Sequence, residues 1–315
     1  LTGAQFSSAT LAEVDVTDAV VRGANFGGLA SPGLTVAQLS STASYKAKDL
    51  TGINLSDHDL KGCLLSDQTL VGASLRSTVL AGADLRRANL TGAVLEYADL
   101  ADANLREANL TGADLSSTML AGADLTDALL RGASLVNTTV SQGPGLTAAQ
   151  LYSTASYKAK NLAGMKLGTN EFSGWDFAAQ NLSMSDLTGT SLEGTRLRQA
   201  NLAGANFTSA WLADADLSQA DLTGAQFTGA LLKDANLTDA VVRGANFRGS
   251  TSNSLTPAQL YSTASYKTRD LEGIKLARND LSGWDFGGQN LAAADFQGSK
   301  LTNANLADAI IGGAC

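Results

Sequence analysis

Apolar residues recur along the chain with a period of five. Over long stretches a large apolar residue occupies every fifth position, a small residue lies two positions before it, and a polar residue lies between the two. The clearest stretch has leucine at every such position: Leu80, Leu85, Leu90, Leu95, Leu100, Leu105, Leu110, Leu115, Leu120, Leu125 and Leu130. Asp or Asn is the usual polar residue, and Gly often lies two positions after the leucine. We call the five sites of this unit, A-(D/N)-L-x-x, the small, polar, large, first turn and second turn positions.

A period of five fits neither regular element, because a helix repeats every 3.6 residues and a strand every 2. Residues two apart in an extended segment face the same side, so the small and large positions should both point inward and the polar position outward. A tight bend at the turn positions, where Gly adopts backbone angles that other residues resist, should separate one extended side from the next. Four units then close a square coil, and stacked coils pair in parallel ladders about 4.8 Å apart.

This pattern resembles the pentapeptide-repeat family, whose fold is a right-handed quadrilateral β-helix. The five-residue phase holds from Leu50 to Val140 and again from Leu162 to Phe247, so the resemblance covers most of the chain. It implies an all-β protein, a parallel β-solenoid, belonging to a modular bacterial array.

Three inserts interrupt the repeat, and all read L-T-x-A-Q-L-x-S-T-A-S-Y. In the third, Thr256 before Pro257 is typical of a helix start, and Gln259 completes a capping box. We therefore predict short α-helical inserts of about two to three turns at residues 35–45, 147–157 and 256–266. The inserts divide the chain into the end of a first block at 1–28, a module with 19 pentapeptides at 29–140, a module with 18 at 141–248, and a partial module with 9 at 249–315.

The coil after each insert departs from the rule of small inward residues. His58 and Cys63 occupy small positions after the first insert, and Trp175 and Trp284 are the counterparts of Cys63 after the second and third. A tube sized for alanine cannot take these side chains without overpacking, so we expect them where the tube widens, ends or turns outward. Trp175 and Trp284 would then cover an open end together with the insert helix.

The spacing of His58 and Cys63 also suggests a metal or thiol site, but Asn and Trp at the equivalent places favour a structural role. More generally, one His and two Cys in 315 residues leave little scope for metal sites, catalytic triads or a disulfide framework. The net charge of −8, from 30 acidic and 22 basic residues, argues against a nucleic-acid ligand, and no apolar run is long enough to span a membrane. No enzyme motif is present, so we expect no catalysis, no cofactor and no small-molecule substrate.

The interpretation we favour is a non-enzymatic spacer or scaffold that presents outward side chains to a protein partner or to a second copy. The family resemblance implies an alternative, since some members mimic DNA and bind type II topoisomerases. Mimicry needs a continuous acidic stripe, which arginines interrupt here: Arg76, Arg86, Arg87, Arg106 and Arg131. The scarcity of Lys and a start in mid-pattern favour an extracellular or cell-surface location over a cytoplasmic one.

One outward column carries large apolar residues and is a candidate contact patch. Polar positions spaced by one coil read Glu171, Ser191, Trp211 and Leu231, and we assign Val241 to the neighbouring column. Trp is the residue type that most often carries interface energy, so Trp211 and Leu231 could form a patch for a partner or for self-association. The alternative is that an insert helix or a loop covers them.

Overall fold

A computed structural model describes residues 1–28, 33–138 and 145–315. The chain forms two compact units, Leu1–Ala159 and Lys160–Cys315. This division falls after the second insert, whereas the predicted modules begin before each insert, and the module boundaries stay a prediction. Val140, the predicted last large position of its run, lies outside the described residues.

Large and small positions form the interior of each unit. Leu105 and Ala103 have no exposed surface, whereas Asn104 between them is half-buried. In the Lys160–Cys315 unit, phenylalanines at large positions one coil apart stack face to face. The ring centroid of Phe227 lies 5.0 Å from that of Phe207 and 4.9 Å from that of Phe247. The predicted assignment of inward and outward positions is confirmed.

Successive coils pair through the polar positions. Asn104 forms parallel bridges to Asp84 in the coil before it and to Asp124 in the coil after it. Its N–H donates to the carbonyl of Ala83 at 2.9 Å, and its carbonyl accepts from the N–H of Leu85 at 2.8 Å. Within the described residues every pairing is an isolated bridge and not a longer strand, because two residues of each five lie in a turn. The fold is the predicted right-handed quadrilateral β-helix, with sides that pair through a single residue.

The turns place the second turn position in the left-handed region. Gly92 has φ +64°, as expected, but Arg87 and Tyr97 adopt φ +54° and +60° at the same site. A left-handed conformation costs a residue with a side chain roughly 1–2 kcal/mol. The ladder to the next coil and the bond that closes the turn, from Ala83 N–H to Leu80 O at 2.9 Å, hold these residues in place.

Each insert forms two short helices and not one. The pairs are α1 (Val36–Ser41) and α2 (Ala43–Lys46), α3 (Ala148–Ser153) and α4 (Ala155–Lys158), and α5 (Pro257–Ser262) and α6 (Ala264–Lys267). A 3₁₀ turn at Ser250–Asn253 precedes the third pair. The predicted capping box is present in all three, with Thr256 and Gln259 in α5. The single predicted helix is broken at Thr42, Thr154 and Thr263.

The break has a local cause, shown by Thr263. Its backbone is extended, with φ −68° and ψ 152°. Its hydroxyl donates to the carbonyl of Leu260 at 2.7 Å and accepts from the N–H of Tyr266 at 3.1 Å. The same side chain therefore ends α5 and caps the start of α6.

The helix pair replaces part of a coil wall and lies against the preceding coil. The Gln259 amide donates to the carbonyls of Leu232 and Ala235, at 2.7 and 2.9 Å. The ammonium of Lys267 lies 2.7 Å from a carboxylate oxygen of Asp239. Equivalent contacts hold the other inserts, through Gln38, Lys46, Gln150 and Lys158.

Candidate functional site

The column predicted as a contact patch is present on one side of the Lys160–Cys315 unit. Bridges join Glu171 to Ser191, Ser191 to Trp211, and Trp211 to Leu231. Trp211 is 62% exposed, so neither an insert nor a loop covers it, while Leu231 is half-buried. We call the surface formed by these four residues the Trp211 face. Its role as a contact patch stays a prediction.

Val241 does not belong to the neighbouring column, which corrects the sequence assignment. Its bridge partner is Asp221, and it lies ten residues after Leu231 along the chain. Ten residues are two sides of a four-sided coil, so Val241 lies on the side opposite Trp211.

An open groove of about 440 Å³ runs along the Trp211 face. Glu171, Ser173, Gly189, Ser191, Glu193 and Trp211 line it. The hydroxyl oxygens of Ser173 and Ser191 lie 2.8 Å apart, within hydrogen-bond distance. The groove therefore combines an indole, carboxylates and hydroxyl groups on a wall held by the backbone ladder.

Polar positions elsewhere have a structural role that the sequence analysis missed. The side-chain oxygen of Asn104 accepts a hydrogen bond from the N–H of Arg106 at 3.2 Å, as in an Asx-turn. The same contact recurs, at 2.9 to 3.2 Å, at Asp84, Asn89, Asp99, Asn109, Asp114 and Asp124. The sequence did carry a signal for this turn contact, because Asp and Asn occupy the polar positions more often than other polar residues do. An indole has no acceptor, so Trp211 cannot stabilise its turn in this way.

His58 and Cys63 are both buried in the Leu1–Ala159 unit. A ring nitrogen of His58, Nδ1, lies 2.9 Å from the carbonyl oxygen of Ser56, and burial raises the pKa of the Cys63 thiol to about 12. A thiol of such high pKa stays protonated at neutral pH and is a poor nucleophile. Within the described ranges no group of three or more His, Cys, Asp or Glu side chains could hold a metal ion, and no helix is long and apolar enough to cross a bilayer.

The two junction tryptophans pack against aromatic neighbours. Trp284 is 4% exposed and lies against Tyr261 of α5 and Phe286, with centroids 6.4 and 6.2 Å away. Trp175 is half-buried against Phe172 and Phe177.

Trp284 contacts the insert helix, as expected, but it covers no open end. The ladder continues past the third insert through bridges from Asn246 to Lys275 and from Lys275 to Asp295. In the other unit it continues past the first insert, from Asn25 to Asn54. At these two junctions the stack therefore continues past the insert.

Ion pairs partly neutralise the acidic residues of the Leu1–Ala159 unit. Arg86 contacts Asp84 at 2.6 Å, and Arg106 contacts Asp124 at 3.3 Å. Arg87 and Lys48 both contact Asp67, and Arg76 contacts Glu96. Four of the five arginines that interrupt the acidic stripe in sequence, all but Arg131, thus pair with carboxylates of this unit.

Comparison with protein-family models agrees with this architecture. The model for pentapeptide repeats matches in 8 copies, at residues 59–96, 69–106, 108–142, 181–219, 212–249 and 270–314. These segments cover more than half of the chain. The chain belongs to the pentapeptide-repeat family. No curated protein sequence matches this pentapeptide-repeat protein.

Several solved structures, two of them described as pentapeptide-repeat proteins, are similar to the chain. HetL, involved in heterocyst differentiation regulation in the cyanobacterium Nostoc sp. strain PCC 7120, is 25% identical with a TM-score of 0.25, and the match covers 99% of this chain and 90% of HetL. The protein alr5209 from the same cyanobacterium is 30% identical with a TM-score of 0.22, over 42% of this chain and 96% of its own. Trypsin-treated QnrB1, a plasmid-mediated fluoroquinolone resistance protein, is 16% identical with a TM-score of 0.25, and the match covers 71% of this chain and 90% of QnrB1. At these TM-scores none of the three likenesses carries a functional conclusion for this protein.

Proposed function

We propose that this pentapeptide-repeat protein is a non-enzymatic scaffold that binds a protein partner through the Trp211 face. The observation that carries the proposal is the 62% exposure of Trp211 on a wall fixed by the ladder. A large exposed aromatic side chain on a rigid backbone loses little conformational entropy on binding, and such residues dominate interface energies.

A photo-crosslinking amino acid placed at position 211 tests this proposal in cells that express the full-length protein. Val241, 38% exposed on the opposite side, is the matched control position. We expect a defined protein adduct from position 211 that position 241 does not give. Equal labelling from both positions would contradict the proposal.

Sedimentation velocity tests whether the partner is a second copy. If copies associate through the Trp211 face, Trp211→Asp should abolish association and leave the fold intact, because Trp211 lies outside the buried tube. If the wild type sediments as a monomer at all concentrations, the proposal is restricted to a different protein as partner.

DNA mimicry is the second candidate function, and the ion pairs argue against it. A mimic must present phosphate-like negative charge at regular spacing. Here Arg86 and Arg87 lie on Asp84 and Asp67, which lowers the negative potential where the sequence is most acidic.

A further inference from the structure

Three acidic residues lie at the coil corner that follows the Trp211 side in successive coils. Glu193 lines the same groove, and Asp214 lies three residues after Trp211 at an exposed corner of the coil. Asp234 occupies the same corner one coil further on, where the carbonyl of Lys233 accepts from the N–H of Asp214 at 2.9 Å. All three acids are exposed. We call Glu193, Asp214 and Asp234 the acidic rim of the Trp211 face.

None of the rim carboxylates forms an ion pair within the part of the chain that the structure describes. Other acids of this unit do so: Arg243 contacts Glu272, Lys267 contacts Asp239 at 2.7 Å, and Lys300 contacts Asp280 at 3.3 Å. Even with Lys233 at the same corner, the three acids leave a net negative charge on the side of the groove that holds Glu193. The rim carboxylates are therefore available to a cation from outside the chain.

We propose that the Trp211 face binds a basic segment of its protein partner, with an Arg or Lys side chain stacked on the indole and paired with the acidic rim. This inference rests on the proposed scaffold function and adds the chemistry of the partner. An indole attracts a cation through its ring face, and a carboxylate beside it adds a charge-assisted hydrogen bond. The paired hydroxyls of Ser173 and Ser191 supply further acceptors along the groove.

Charge complementarity favours a basic partner over the other occupants. A second copy of the chain would bring the same acidic rim against this one, and the chain as a whole carries a net charge of −8. Like charges brought together across an interface oppose association, and a nucleic acid would be repelled for the same reason.

A pair of synthetic peptides tests the chemistry directly. The probe is a twelve-residue peptide of alternating Arg and Ser, and its control has citrulline in place of every Arg, which keeps the shape and removes the charge. The readout is the indole N–H resonances of ¹⁵N-labelled full chain, which has three tryptophans, with the Trp211 signal assigned from Trp211→Phe. We expect the Arg peptide to shift the Trp211 signal and the citrulline peptide to leave it unchanged.

Variants of the rim test whether the carboxylates act locally. Isothermal titration calorimetry, which does not depend on the Trp211 signal, measures the peptide Kd of each variant. Glu193→Gln and Asp214→Asn should each raise this Kd about threefold or more, and Trp211→Ala about tenfold. Asn tolerates the left-handed backbone of Asp214, at φ +57°, so the fold should be unaffected. The matched control is Asp308→Asn, an exposed left-handed site at φ +58° with the same change of charge, and it should leave Kd unchanged.

The possible failures are distinguishable. If the citrulline peptide shifts the Trp211 signal equally, or if Asp308→Asn weakens binding as much as the rim variants, the cationic chemistry is wrong. The scaffold proposal then still stands on crosslinking at position 211. If neither peptide shifts the signal, the basic-partner inference is overturned, and a lack of specific crosslinking at position 211 would overturn the scaffold proposal separately.

Discussion

At the scale of single residues, neighbouring positions of one unit have opposite environments. Leu105 is fully buried, while Asn104 is half-buried and accepts a hydrogen bond from the N–H of Arg106. A polar side chain on the wall is therefore more than a solvated group, because it also stabilises a turn.

Substitution by lysine should separate the two positions. Leu105→Lys places a charge without a partner inside the tube and should cost several kcal/mol (about 3–5) or prevent folding. Asn104→Lys loses the turn contact and should cost about 0.5–1.5 kcal/mol. Thermal unfolding measures both, with Asn104→Asp as the control that keeps the acceptor. Equal melting temperatures for the two lysine variants would show that the inward and outward assignment is wrong.

The charge network around Asp67 predicts how stability changes with acid. Hydrogen bonds from Arg87 and then from Lys48 hold the pKa of the Asp67 carboxyl well below its ordinary value. A depressed folded-state pKa stabilises the protein above the unfolded-state pKa of about 3.9, and the contribution is lost as pH falls through the folded-state value. We therefore expect the urea midpoint to fall below about pH 4.

Asp67→Asn should remove part of this acid sensitivity, since the amide does not titrate. Arg87→Gln should do so as well, because it removes the first of the two donors. Combining the two changes should give less than the sum of their effects. If the urea midpoint of Asp67→Asn falls with pH as steeply as that of the wild type, the Asp67 carboxyl is not a source of the acid sensitivity.

At the scale of elements, the glutamine of each insert links two segments that are distant in sequence. The Gln259 carbonyl oxygen accepts from the N–H of Thr256 at 2.9 Å, as a capping box requires. Its amide nitrogen donates to carbonyls in the preceding coil. The sequence predicts the first contact, but the second holds the helix pair against the wall.

Gln259→Glu separates these two roles. The carboxylate keeps the capping acceptor but loses the amide donor and faces the carbonyls of Leu232 and Ala235. We expect a loss of about 1–3 kcal/mol in unfolding free energy, with faster hydrogen exchange confined to residues 257–267 and the wall they contact. Gln297→Glu, at an exposed turn position, is the matched control. If hydrogen exchange in residues 257–267 is the same in Gln259→Glu and Gln297→Glu, the amide contacts of Gln259 do not anchor the insert.

At the scale of the whole molecule, the distribution of charge bears on both candidate functions. The chain is acidic overall, with a net charge of −8. In the Leu1–Ala159 unit, however, arginines lie on the carboxylates that a DNA mimic would need to expose, as Arg86 does on Asp84.

We expect no inhibition of topoisomerase supercoiling at micromolar concentration in a gel assay. The double variant Arg86→Gln and Arg87→Gln, which frees Asp84 and Asp67, is the form most favourable to mimicry and serves as the comparison. Potent inhibition by the wild-type protein would reverse the order of the two functions.

The five-residue period by itself determined the coil, the inward positions and the column that contains Trp211. These follow from sequence because the geometry repeats locally, so each unit specifies its own side and its own turn. The capping boxes were predictable for the same reason, since Thr256 and Gln259 lie within one helical turn.

Only the tertiary structure decided the features that depend on residues distant in the chain. These are the carbonyls that Gln259 binds, the packing of Trp284 against Tyr261 of α5, and the arginines paired with wall carboxylates. The exposure of Trp211 is of the same kind, because nothing within its own unit determines whether an insert or a loop covers it. Periodicity specifies the direction in which a side chain points, but its neighbours are set by how coils and inserts stack, which is a long-range property.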